Sequence, residues 1–199
     1  MKNPYDRLSR AISYALHPLI VPTIAALLLL FGPTVMSNLP AEARWFIAAV
    51  ILLNTLILPA FSLAVLKLFG GLSDLRLQSQ RQRMLPMGIV AVCYMLCILS
   101  FRQMTVAFLA ALCCVVIAFV VNLYWKISLH MTAAGGLLGM MIVMNYTGLA
   151  QFRTALIVLT VLTGALGSAR LQLGSHSLAQ VGAGAAAGVA VTAATVLLI

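Results

Sequence analysis

Three short polar segments interrupt an otherwise apolar chain, and they hold most of the side chains able to do chemistry. The first, RLQSQRQRMLP, runs from Arg76 to Pro86 and includes Arg83. The second, SLH, supplies Ser128 and His130. The third, SARLQLGSHSLAQVGAG from Ser168 to Gly184, contributes Arg170, His176 and Gln180. Arg76, Arg83 and Arg170, brought together, make a clamp for a phosphate, each guanidinium donating paired hydrogen bonds to its oxygens. Two histidines meet the usual need for nucleophilic attack and protonation of a leaving group. His176 and Gln180 are four residues apart, so on a helix the amide oxygen can hold the imidazole. The plainer alternatives are arginines that only fix topology and histidines that only cap helices or sit at the headgroup level.

The elements that must position these groups are apolar helices. Of the 199 residues 63% are hydrophobic and only 8% charged, whereas a water-soluble domain carries about a quarter charged residues. Twelve basic and three acidic side chains cannot cover such a domain, so lipid is the expected solvent. In lipid, backbone polar groups are satisfied only within helices or closed barrels, and long apolar runs select helices. The expected fold is all-α, a polytopic membrane helix bundle of about six to seven transmembrane helices. It forms a single integral membrane domain over 1–199, with the motif-bearing core over about 67–199. The apolar spans fall at 11–31, 45–66, 87–101, 104–124, 131–150, 154–167 and 181–199, the third being short for a crossing. Two spans separate the first polar segment from the second, and two more separate the second from the third. An even number of crossings returns the chain to one face, where all three segments can converge.

The motifs resemble those of the membrane-bound type 2 phosphatidic acid phosphatases, relatives of the vanadium haloperoxidases. That family carries K-x-x-x-x-x-x-R-P, then P-S-G-H, then S-R-x-x-x-x-x-H-x-x-x-D. Here Arg76 and Arg83 have six residues between them with Pro86 displaced by two positions, Ser128 and His130 are kept, and Arg170, His176 and Gln180 keep the third spacing. The motifs span 76–188, a little over half the chain. The resemblance implies a lipid-phosphate phosphatase acting on a phosphate or diphosphate monoester through a phosphohistidine. By that implication His176 is the nucleophile and His130 the general acid, while Arg76, Arg83, Arg170 and Ser128 hold the phosphoryl oxygens. No metal or other cofactor is expected. The chain departs from the pattern at Arg76 for lysine, Ile127 for proline, Leu129 for glycine, Ala169 for serine and Gln180 for aspartate. A neutral Gln180 can accept the ring N–H of His176 but cannot stabilise a charged imidazolium, so weaker or specialised activity is expected.

The expected partners are the bilayer and a lipid phosphate substrate, in the cell (inner) membrane. The net charge of +9 does not indicate nucleic acid, because the basic residues lie between apolar runs without aromatic interleaving. Competing functions are a catalytically weak binder of lipid phosphate headgroups and a small transporter, the latter disfavoured by the lack of acidic residues within the spans. His17, next to Pro18 and outside the motifs, reads as a packing or interface residue. Lys126 reads as a snorkelling side chain. Cys93, Cys97, Cys113 and Cys114 read as small apolar filler. Asn54, Asn122 and Asn145 read as interhelical hydrogen-bonding residues.

Overall fold

The computed structural model describes residues 4–69 and 80–199, and the regular elements among them are all helical. They are α1 (Pro4–Ala15), α2 (Val21–Phe31), α3 (Ala41–Leu52), α4 (Leu58–Leu68), α5 (Gln80–Ser100), α6 (Thr105–Tyr124), α7 (Leu129–Thr147), α8 (Arg153–Gln172) and α9 (Leu178–Leu198). A π-helical turn, Leu53–Ile57, joins α3 to α4 as one 28-residue stretch. Its Thr55 hydroxyl donates to Ile51 O at 2.9 Å and lies 2.8 Å from the Thr23 hydroxyl of α2.

Among the described residues, five helices are long and apolar enough to cross a membrane: Ala41–Leu68, α5, Arg102–Tyr124, α8 and α9. Many of their large apolar side chains face outward, among them Val92, Leu99, Ile157 and Val161. A surface of this kind is covered by lipid in a membrane protein. The count is lower than the six to seven spans expected from hydropathy. The apolar run 11–31 is not one helix, because a turn over 16–20 that contains Pro18 separates α1 from α2, whose first turn holds Pro22. The 11 residues of α2 rise about 16 Å at 1.5 Å per residue, against a hydrocarbon core of about 30 Å. α1 is two-faced: Ser9 and Ser13 are buried, while Tyr5, Leu8 and Tyr14 are exposed. It packs against α8.

Two other boundaries move. The span expected at 87–101 begins at Gln80, so Arg81, Arg83 and Pro86 lie inside α5, which reaches 21 residues. The span expected to stop near Gly167 continues as α8 through Gln172, so Arg170 occupies a helix terminus and not a connector. Both shifts have one cause: arginine is a good helix former, and hydropathy reads its charge as a boundary when the side chain faces a polar cavity.

α7 is the central helix, in contact with α9, α8, α6 and α2. Its packing on α9 is backbone on backbone. A Cβ at Gly139 would stand 2.7 Å from Val189 O, and one at Gly184 would stand 2.8 Å from Ser128 O. Gly135 and Gly188 face Ala185 O and Thr132 O with no room for a side chain. Small residues let membrane helices approach this closely. The approach puts the Ser128 N–H 3.4 Å from Gln180 O, linking the second and third polar segments. Asn122 bridges helices, its amide donating to Gln80 O at 3.0 Å. Asn54 and Asn145 do not; they donate to Val50 O and Met141 O of their own helices.

Candidate functional site

Four helix ends meet at one face of the bundle: the N-termini of α5, α7 and α9 and the C-terminus of α8. They place Arg83 in the first turn of α5, His130 in the first turn of α7 and Arg170 in the last turn of α8. His176 precedes Ser177, the N-cap of α9. All four side chains line one cavity of about 270 Å³. The N-termini of α7 and α9 at this face add partial positive charge, which favours an anion, against the opposite charge of the α8 C-terminus. The described residues include two carboxylates, Asp6 and Glu42, and neither lines the cavity.

The geometry at His176 fixes its tautomer. The Ser177 N–H donates to Gln180 Oε1 at 3.1 Å, within a capping box that opens α9. A backbone N–H must meet an oxygen, so the amide of Gln180 has one orientation. The same Oε1 lies 3.1 Å from His176 Nδ1, and that nitrogen therefore donates. The remaining ring nitrogen, Nε2, keeps its lone pair. Burial, then the nearby Arg83, lowers the His176 pKa to about 4, against a smaller opposing effect of the Gln180 bond. The ring is neutral at pH 7. The sequence expectation placed this pair on a helix; in the structure the ring stands just outside it, and the contact forms through the helix cap.

His130 is held from the N-terminal segment. Its Nε2 lies 3.2 Å from the Ser13 carbonyl, which can only accept, so Nε2 carries a proton and Nδ1 is left for other chemistry. The Ser13 hydroxyl receives Arg170 Nη1 at 3.4 Å. Arg83 Nη1 donates to Ile127 O at 3.3 Å. Lys126 is half-buried beside this cluster, its pKa lowered by burial and then by Arg83 and Arg170.

The cavity has a second, apolar part. Beyond the histidines and arginines it is walled by Val90, Ala107, Ala111, Leu137 and Met140. Met140 follows His130 by ten residues on α7, about 15 Å deeper along the helix axis. A polar head and an apolar tail thus have separate compartments in one cavity.

Not every expected site residue reaches this wall. Ser128 is fully buried but does not line the cavity, and its Oγ has no hydrogen-bond partner among the described residues. Arg76 lies outside the described residues. His17, expected only to pack, lines the cavity with its ring edge-on to His130, centroids 5.3 Å apart. Ser13 was also missed. One signal for His17 was available: like the motifs, it belongs to the face that holds the N-terminus. The contribution of Ser13 through its carbonyl leaves no trace in side-chain spacing.

Among the described residues, no group of three or more His, Cys, Asp or Glu side chains is arranged to hold a metal ion. The four cysteines are free thiols. No family model, no curated protein and no solved structure matches the chain.

Proposed function

We propose that this chain is a lipid-phosphate phosphatase of the cell membrane, working through a phosphohistidine, as its motif resemblance to the type 2 phosphatidic acid phosphatases implies. The observation that carries this reading is one cavity with three histidines, two of them at the motif positions 130 and 176, and two arginines at its head and an apolar channel below. The substrate's phosphoryl group lies among Arg83, Arg170 and the helix N-termini, with Arg76 as a further ligand, while the tail occupies the channel. His176 Nε2 attacks phosphorus, and the bond from phosphorus to the lipid oxygen breaks. His130 gives the departing oxygen a proton through Nδ1, the nitrogen that Ser13 does not engage. A bound phosphate dianion favours the protonated ring that this step requires. His130 then takes a proton from water, whose oxygen displaces His176 and releases inorganic phosphate. Such chemistry depends mainly on positioning and charge stabilisation, which the clamp supplies. Ser128 acts indirectly in this scheme, through its link to Gln180.

The proposed topology has seven crossings: α2, the α3–α4 stretch, and α5 to α9. α1 lies along the membrane face that bears the site. α2 is the shortest, running from the cavity at Val21 to Gly32, which packs against Phe152 at the start of α8.

The test is direct. Purified protein should release inorganic phosphate from lipid phosphates without added metal, and His176→Ala should abolish the release. Full activity in that variant would remove His176 as nucleophile. The neutral partner of His176 favours a second reading, a headgroup binder without turnover; binding of a lipid phosphate with no release by wild-type protein would select it.

A further inference from the structure

His17 lies on the polar wall yet has no part in the mechanism above. It stands in the turn between α1 and α2, followed by Pro18, and the Leu19 N–H donates to its Nδ1 at 3.3 Å. A nitrogen that accepts carries no proton, so the neutral ring bears its hydrogen on Nε2. Burial, then the charge of Arg170, lowers the pKa of His17. The ring therefore supplies an N–H donor without adding a positive charge beside Arg170.

Arg83, Arg170 and Lys126 all act on His176, whose partner is Gln180. Arg170 also joins Ser13, His130 and His17, through the Arg170–Ser13 and His130–Ser13 hydrogen bonds and the edge contact of the two rings. In the proposed reaction His130 and His17, on this second side, receive the leaving group. A departing alcohol needs one proton, which His130 supplies. The His17 N–H exceeds that need, and with Arg170, shared between the two sides, it matches the oxygens of a second phosphoryl group.

We propose that His17 is a specificity-determining residue that selects lipid diphosphates over monophosphates, donating its Nε2–H to the inner phosphoryl group that departs with the lipid. This rests on the phosphatase reading and names its substrate class. His176 Nε2 bonds to the terminal phosphorus, and the bond from that phosphorus to the bridging oxygen breaks. His130 protonates the bridging oxygen, and a lipid monophosphate leaves. Water then releases the terminal phosphate from His176.

The experiment compares farnesyl diphosphate with farnesyl monophosphate on the full chain in detergent, for wild type, His17→Phe and His17→Gln. Phenylalanine keeps a ring against His130 and lacks the N–H; glutamine restores a donor near the Nε2 position. The ratio of kcat/KM for diphosphate over monophosphate should fall about tenfold or more in His17→Phe, as expected for a lost hydrogen bond to a charged group, and recover in His17→Gln. A fall shared equally by both substrates, or no fall, overturns the proposal. Dissociation constants of farnesyl methylenediphosphonate and farnesyl phosphonate form a second arm that needs no turnover. If wild type cleaves neither ester, the phosphatase reading fails. The binding ratio then decides His17 alone: a drop in His17→Phe supports its role, and an unchanged ratio overturns it.

Discussion

At the residue scale, the proposed reading turns on Gln180, where the motif it resembles has aspartate. The capping box resolves what an amide can do there. Because the Ser177 N–H already requires Oε1, the side chain cannot flip to present its NH2 to the imidazole. Glutamine thus orients His176 as a carboxylate would, without a charge to stabilise the imidazolium. Gln180→Ala should lower kcat by about a hundredfold, an amount suited to losing the group that orients a catalytic histidine. Gln180→Glu keeps the reach of the side chain and adds the charge, so it should raise the His176 pKa. The pH dependence of kcat/KM measures both. In the proposed mechanism His176 must be neutral to attack, and its lowered pKa of about 4 keeps it so through the usual histidine range. Activity of the wild type should persist as pH falls past 6.5, with the limb set by His176 near pH 4, whereas Gln180→Glu should move that limb upward. A wild-type loss centred at 6.5 and assigned to His176 by ring NMR would contradict this.

At the element scale, the close approach of α7 and α9 holds Ser128 against Gln180 and so carries the second and third segments to one place. Gly188→Ala should cost about 1–3 kcal/mol, the usual penalty for overpacking, because its Cβ would meet Thr132 O. Gly182→Ala is the internal control: nothing lies within 4 Å of a Cβ there, and alanine is the better helix former. Thermal unfolding in detergent should therefore separate the two variants in opposite directions, with phosphate release following the loss in Gly188→Ala. The same scale shows what could be read from sequence. The glycine pairs and the even number of helices between polar segments are periodic features, visible as spacing. The helix ends were not, since Arg83 and Arg170 look like loop residues until the cavity they face is known. His17 carried no spacing signal, and Ser13 acts partly through its backbone. Arg76 falls outside the described residues.

At the scale of the whole molecule, the topology makes a prediction about sidedness. In the proposed topology Arg7 on α1 belongs to the face of the site, and Gln151, in the α7–α8 turn, to the opposite one; both side chains are exposed. A membrane-impermeant maleimide should label Arg7→Cys and Gln151→Cys from opposite sides of sealed vesicles. Labelling of both from one side would contradict the odd number of crossings proposed between them. Part of the chain's positive charge, at Arg83 and Arg170, is gathered around one cavity with an apolar extension.

The hydrogen bonds at Ser13 and at Gln180 join segments about 170 residues apart in sequence. A ribosome must thread all of that length beyond Ser13 before the last of these contacts can close, so shorter nascent chains in the translocon hold no finished cavity. On the proposed reading, hydrolytic competence would switch on only once α9 has slid against α7, and earlier fragments would pass through the bilayer without touching its phosphorylated lipids.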